Sequence, residues 1–67
     1  MTIQVNGKNV ELPYNIETIT HLLTFYALED KPVIVEWNKA IIPKEQYATA
    51  AIQHGDEFEL VHFVGGG

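Results

Sequence analysis

Three glycines, Gly65-Gly66-Gly67, follow an apolar run that closes in Phe63-Val64. Glycine has no Cβ, so this is the slimmest and most flexible extension a chain can make, and it adds nothing to a core. The chemistry available to it is that of the Gly67 carboxylate. Ionised at neutral pH, that group can attack phosphorus but is a poor acyl electrophile. Attack on the α-phosphate of ATP would form an acyl-adenylate, whose AMP leaving group opens the glycyl carbonyl to a sulfur or nitrogen nucleophile. Gly65 and Gly66 would let the segment thread a narrow channel in a partner's active site. Four residues beyond Phe63 reach about 13 Å at full extension, which brings Gly67 into a buried site while the folded body stays outside. The alternative is a frayed terminus with no role.

Other chemistry is poorly provided for. The sequence holds no GxxxxGK[ST], no GxGxxG, no HExxH and no GxSxG, so it offers no phosphate cradle, zinc helix or nucleophile elbow. His21, His54 and His62 are far apart in the chain, and with no Cys present they would need carboxylate help to hold zinc. Surface or half-buried imidazoles are the simpler reading. Glu57 and Glu59 share a strand face, a spacing open to acid/base work, yet solvated carboxylates are what the polar side of a sheet ordinarily carries. The chain is therefore expected to be acted upon by enzymes and to have no catalytic residues of its own.

The elements that must position the tail are legible from periodicity. Ile3, Val5, Val10 and Leu12 alternate with polar residues about Asn6-Gly7, the strongest short-range hairpin signal. A two-residue loop sets Val5 opposite Lys8 and Ile3 opposite Val10. Ile19, Leu22, Leu23, Tyr26 and Ala27 then recur at helical spacing, with Thr18 as N-cap, His21 where a capping box has Glu or Gln, and Pro32 enforcing the end. Val33 to Trp37 reads as a strand, Asn38-Lys39 as a turn, and Ala40-Ile41-Ile42 as a short return broken by Pro43. Lys44 to Ala51 suggests a turn or a short helical loop. After a His54-Gly55-Asp56 turn, Glu57 to Val64 forms the last strand. If Phe58 and Leu60 face the helix, Val61 and Phe63 face outward among the acids, an apolar pair suited to docking; packing against an edge or under the Lys44 to Ala51 loop is the alternative.

The resulting order, β-β-α-β-β-β, fits a two-layer α+β domain with one helix across one sheet face. At 67 residues the chain is long enough for one core only. We expect a domain over residues 1–64 and a glycine tail over 65–67. With 46% hydrophobic and 19% charged residues the composition is that of a globular protein, not a disordered one. Four Lys plus Arg against nine Asp plus Glu give a net charge of −5, the wrong sign for binding nucleic acid or an anionic membrane. No membrane-length apolar run and no signal-peptide pattern is present, from which a cytoplasmic protein is expected.

Taken together, the Asn6-Gly7 hairpin, the Thr18-led helix with Leu22-Leu23, Val33-Ile34-Val35-Glu36-Trp37-Asn38, Ile42-Pro43-Lys44, the run His54 to Val61 and the closing Gly66-Gly67 resemble the ThiS family, the sulfur carriers of thiamine biosynthesis. The resemblance covers the whole chain. It implies a ubiquitin-like β-grasp fold with a mixed four- to five-stranded sheet packed on one helix. It also implies a cycle in which an E1-like adenylyltransferase uses ATP and Mg²⁺ to adenylate Gly67, a cysteine desulfurase relay converts it to a thiocarboxylate, and thiazole synthase takes the sulfur. The carrier itself would bind no cofactor, and it needs no thiol because sulfur travels on Gly67. Departures are Asn38-Lys39 where Asn-Gly is frequent, and a helix end near Leu28-Glu29-Asp30 without the usual Gly. Three other functions share parts of this pattern. The small subunit of molybdopterin synthase ends in Gly-Gly but is usually longer, with prolines before the glycines. A ubiquitin-like modifier would instead join Gly67 to lysines of other proteins. A non-covalent adaptor would make no use of its tail.

Overall fold

The computed structural model describes residues 1–62. Its order is β1 (Thr2–Val5), β2 (Lys8–Glu11), α1 (Ile19–Phe25), β3 (Val33–Trp37), β4 (Ala40–Ile41), a 3₁₀ turn at Lys44–Gln46 and β5 (Glu57–His62). The strands form one mixed sheet in the order β2-β1-β5-β3-β4. β5 lies at its centre, parallel to β1 and antiparallel to β3. One face of the sheet and the helix share the core, formed by Ile3, Val5, Val35, Phe58 and Leu60 from the strands and Ile19, Leu22 and Leu23 from α1.

The opening hairpin has the expected register, with Ile3 opposite Val10 and Val5 opposite Lys8. Asn6 and Gly7 both take positive φ, 52° and 82°, the type I′ geometry whose twist matches the strands it joins. Asn38 and Lys39 do the same between β3 and β4, with φ of 51° and 72°. Lys44 to Ala51 contains the short helical turn that its mixed spacing suggested.

The helix begins as expected and ends sooner. Thr18 Oγ1 accepts from the His21 amide at 3.3 Å, while His21 Nδ1 accepts from the amides of Thr18 at 3.3 Å and Glu17 at 3.1 Å. A neutral imidazole thus does the work of the customary Glu or Gln. The first two helical amides are satisfied from the crossing loop, Ile19 donating to the Ala50 carbonyl and Thr20 to that of Tyr47. Pro32 was expected to stop the helix, but the last helical residue is Phe25, so Tyr26 and Ala27 at the end of the apolar stripe fall beyond it. The terminator is a Schellman turn: the Leu28 amide donates to the Leu23 carbonyl at 2.8 Å, the Ala27 amide donates to that of Thr24 at 3.0 Å, and Ala27 sits at φ 58°. Burial of Leu28 beside Leu23 holds the turn in place of glycine. Because a Cβ in this conformation is strained, Ala27→Gly is expected to stabilise the fold by about 0.5 to 1 kcal/mol, seen as a higher denaturant midpoint with an unchanged slope.

Candidate functional site

Everything expected of the tail is delivered by β5, so the site is built from what holds that strand. On one side β3 pairs with it along its length, from Trp37 opposite Phe58 to Val33 opposite His62. On the other side β1 pairs with it only at Gln4–Glu57 and Val5–Phe58, because β1 turns away into the hairpin at Asn6. The Asn6 side chain continues the ladder where the backbone has left it. Its Oδ1 accepts from the Leu60 amide at 2.8 Å, its Nδ2 donates to the Leu60 carbonyl at 3.3 Å, and its own amide donates to the Phe58 carbonyl at 2.9 Å. The residue read in the sequence only as a turn former therefore also clasps the last strand. Asn6→Gly keeps the turn's φ and removes the clasp. It is expected to cost about 1 to 2 kcal/mol, with faster amide hydrogen exchange at Leu60 and the residues after it than at the hairpin itself.

The start of β5 is fixed by Asp56. Its carboxylate accepts from the Trp37 indole Nε1 at 2.8 Å, the Gln53 amide at 2.8 Å and the Asn38 Nδ2 at 3.2 Å. Asn38 Oδ1 accepts from the Glu57 amide at 2.9 Å, and the Gln4 amide donates to the Asp56 carbonyl at 2.9 Å. Gly55 supplies the turn at φ 88°, a conformation that L side chains resist. Five segments thus converge at the point where the last strand enters the sheet. The Trp37 ring lies parallel to that of Phe58, with centroids 6.4 Å apart.

Along β5, Phe58 and Leu60 are buried and Glu57, Glu59 and Val61 are exposed, as the strand parity requires. Val61, half of the expected docking pair, is 49% exposed. Its partner Phe63 lies outside the described residues, as do Gly65, Gly66 and Gly67 and the expected boundary after residue 64. The structure adds two apolar neighbours on the same face. Ile34 sits directly opposite Val61, and Ile41 sits opposite Glu36 one strand further on. The alternation of β3 held this signal, since Ile34 shares its parity with Glu36.

The histidines take structural parts. His21 caps the helix, and His54 Nδ1 accepts from the Thr2 amide at 3.1 Å. Among the described residues no group of three His, Cys, Asp or Glu side chains is placed to hold a metal ion, and no helix is long and apolar enough to cross a membrane. At the far edge of the sheet the Thr2 hydroxyl and the Met1 ammonium hold the Glu11 carboxyl below its ordinary range. That contact staples the β1–β2 ends.

A mixed five-stranded sheet wrapped on one helix, with the C-terminal strand central and parallel to the first, defines the ubiquitin-like β-grasp class. Residues 3–67 match the model of the ThiS family. The sulfur carrier protein ThiS of Bacillus subtilis is 51% identical over 65 residues, covering 97% of this chain and 98% of that protein. The crystal structure of the thiamine biosynthesis protein ThiS from Geobacter metallireducens superposes with a TM-score of 0.82 at 29% identity over 100% of both chains. Thiazole synthases of Paramagnetospirillum magneticum and Magnetococcus marinus are 36% and 37% identical to the whole of this chain, which aligns with 20% of each of them. The chain belongs to the ThiS family, and its function is that of a sulfur carrier in thiamine biosynthesis.

Proposed function

We propose that Gly67 is the residue on which the sulfur travels, and that the chain is a co-substrate of its partner enzymes with no catalytic group of its own. In the first step the Gly67 carboxylate attacks the α-phosphate of ATP in an E1-like adenylyltransferase that supplies Mg²⁺, and pyrophosphate leaves. In the second, sulfur passed from a cysteine desulfurase relay attacks the acyl carbon, AMP leaves, and the end becomes a thiocarboxylate. Thiazole synthase is the acceptor. Gly65 and Gly66 carry no side chain to obstruct entry into either active site, and Val61 with Phe63 docks the body.

What carries this reading is that the family match runs through Gly67, so the glycine end is included in the resemblance along with the folded body. The thiazole synthases that contain a segment similar to this whole chain support that enzyme as the acceptor, since fusion raises the effective concentration of a carrier at its consumer. The test is intact-mass analysis with fragmentation of protein made in its native host. Replacement of one oxygen by sulfur at Gly67 is the expected result; sulfur on any other residue, or on none under thiamine starvation, overturns the assignment.

A further inference from the structure

The outer face of the sheet contains a pairing that works against the fold. Glu36 of β3 and Glu59 of β5 are directly opposite one another, and like charges in that position are destabilising. Glu57 follows on the same face, and these three carboxylates line one shallow hollow with Lys39. Among the described residues the one ion pair closer than 4.0 Å is Met1–Glu11, so Lys39 does not close on any of the three. One step along the strands, Ile34 and Val61 face each other at 42% and 49% exposure, and Ile41, beside Glu36, is 69% exposed. An apolar row therefore borders an acidic pair that the free protein leaves uncompensated, on the strand that leads to the tail.

We propose that this face is the docking surface for the enzyme that adenylates the chain, and that Glu36 and Glu59 are held opposite each other to receive an arginine or lysine of that enzyme. The proposal rests on the Gly67 reading and specifies its recognition step. The occupant follows from charge. An enzyme that gathers a nucleotide triphosphate and a carboxylate into one site has a positive field at its mouth, and that field steers an acidic carrier tail-first. Ile34, Val61 and Ile41 supply the apolar contact, while the acid pair sets register and rejects neutral or acidic surfaces.

The arrangement makes two readouts move in opposite directions. Glu36→Gln, Glu59→Gln and the double variant are compared with Glu29→Gln, an equal change of net charge on the helix side. Binding to the purified adenylating enzyme is titrated without ATP at low and moderate salt, and Tm is measured for each free carrier. The double variant is expected to bind about tenfold more weakly at low salt, equivalent to about 1.4 kcal/mol, with a shallower salt dependence. Its Tm is expected to rise by roughly 1 to 5 °C as the like-charge contact is relieved. Glu29→Gln is expected to stay within about twofold. The inference is overturned by an unchanged dissociation constant, by an equal loss in Glu29→Gln, by a fall in Tm accompanying the weaker binding, or by weakening confined to thiazole synthase. A wild-type chain that binds but takes up neither AMP nor sulfur overturns the Gly67 reading and leaves the docking result standing, because the two are measured separately.

Discussion

Adding one residue after Gly67, or deleting Gly67, is expected to reduce sulfur loading by more than about a hundredfold while Tm changes by no more than about 1 °C. The argument is geometric. One extended residue moves the acyl carbon by roughly 3.3 to 3.6 Å. A displacement of about 1 Å from the reacting geometry already costs on the order of a hundredfold in rate. The body, by contrast, loses no packed side chain when a glycine is removed. Loading is followed with purified adenylating enzyme, ATP, Mg²⁺ and a sulfide source, reading AMP release and the mass of the product. Both variants should still bind the enzyme, because the exposed face of β5 and β3 is unaltered. A lengthened chain that loads at the wild-type rate would show that the reacting carbonyl is not the one at residue 67.

The second large effect is expected at Asp56. Asp56→Ala removes the acceptor for the Trp37 indole, the Gln53 amide and the Asn38 side chain together. Hydrogen bonds to a charged group are worth about 1.5 to 3 kcal/mol each, and the half-buried Trp37 N–H would be left without a protein partner. Allowing for water replacing part of the loss at the more exposed donors, the expected cost is about 2 to 4 kcal/mol. For a 67-residue chain without disulfides that is a large share of the total stability. Denaturation followed by the emission of Trp37, the single tryptophan, measures it directly. Asp56→Asn should lose less, since one amide oxygen still accepts while the amide NH₂ faces a donor. If Asp56→Ala and Asp56→Asn both lie within about 0.5 kcal/mol of wild type, the turn does not depend on this carboxylate.

These two sites differ in how they could be read. The acyl chemistry of Gly67 follows from residue type alone, since a glycine-only end has nothing to offer except its carboxylate. The Asp56 turn was visible as a turn, but its three donors come from Trp37, Asn38 and Gln53, and no local pattern announces that they meet. Asn6 teaches the same lesson more sharply. Its tolerance of positive φ is an intrinsic property and predicted the hairpin. Its grip on Leu60, 54 residues away, exists only because β5 lies beside β1.

Sequence alone therefore determined the features whose causes are short-ranged: the register across Asn6-Gly7, the helix start at Thr18, the inward parity of Phe58 and Leu60, the outward parity of Val61, and the chemistry open to Gly67. Each depends on a turn residue or a period of 2 or 3.6 acting over a few neighbours. Tertiary structure decided the rest. The parallel pairing of β1 with β5, the stop of the helix at Phe25 through a Schellman turn on Ala27, and the gathering of Ile34, Ile41 and Val61 around Glu36 and Glu59 all require strands distant in the chain to be packed on one helix. Contacts of that kind offset their loop-closure entropy only when the whole core forms, so no window of the sequence contains them.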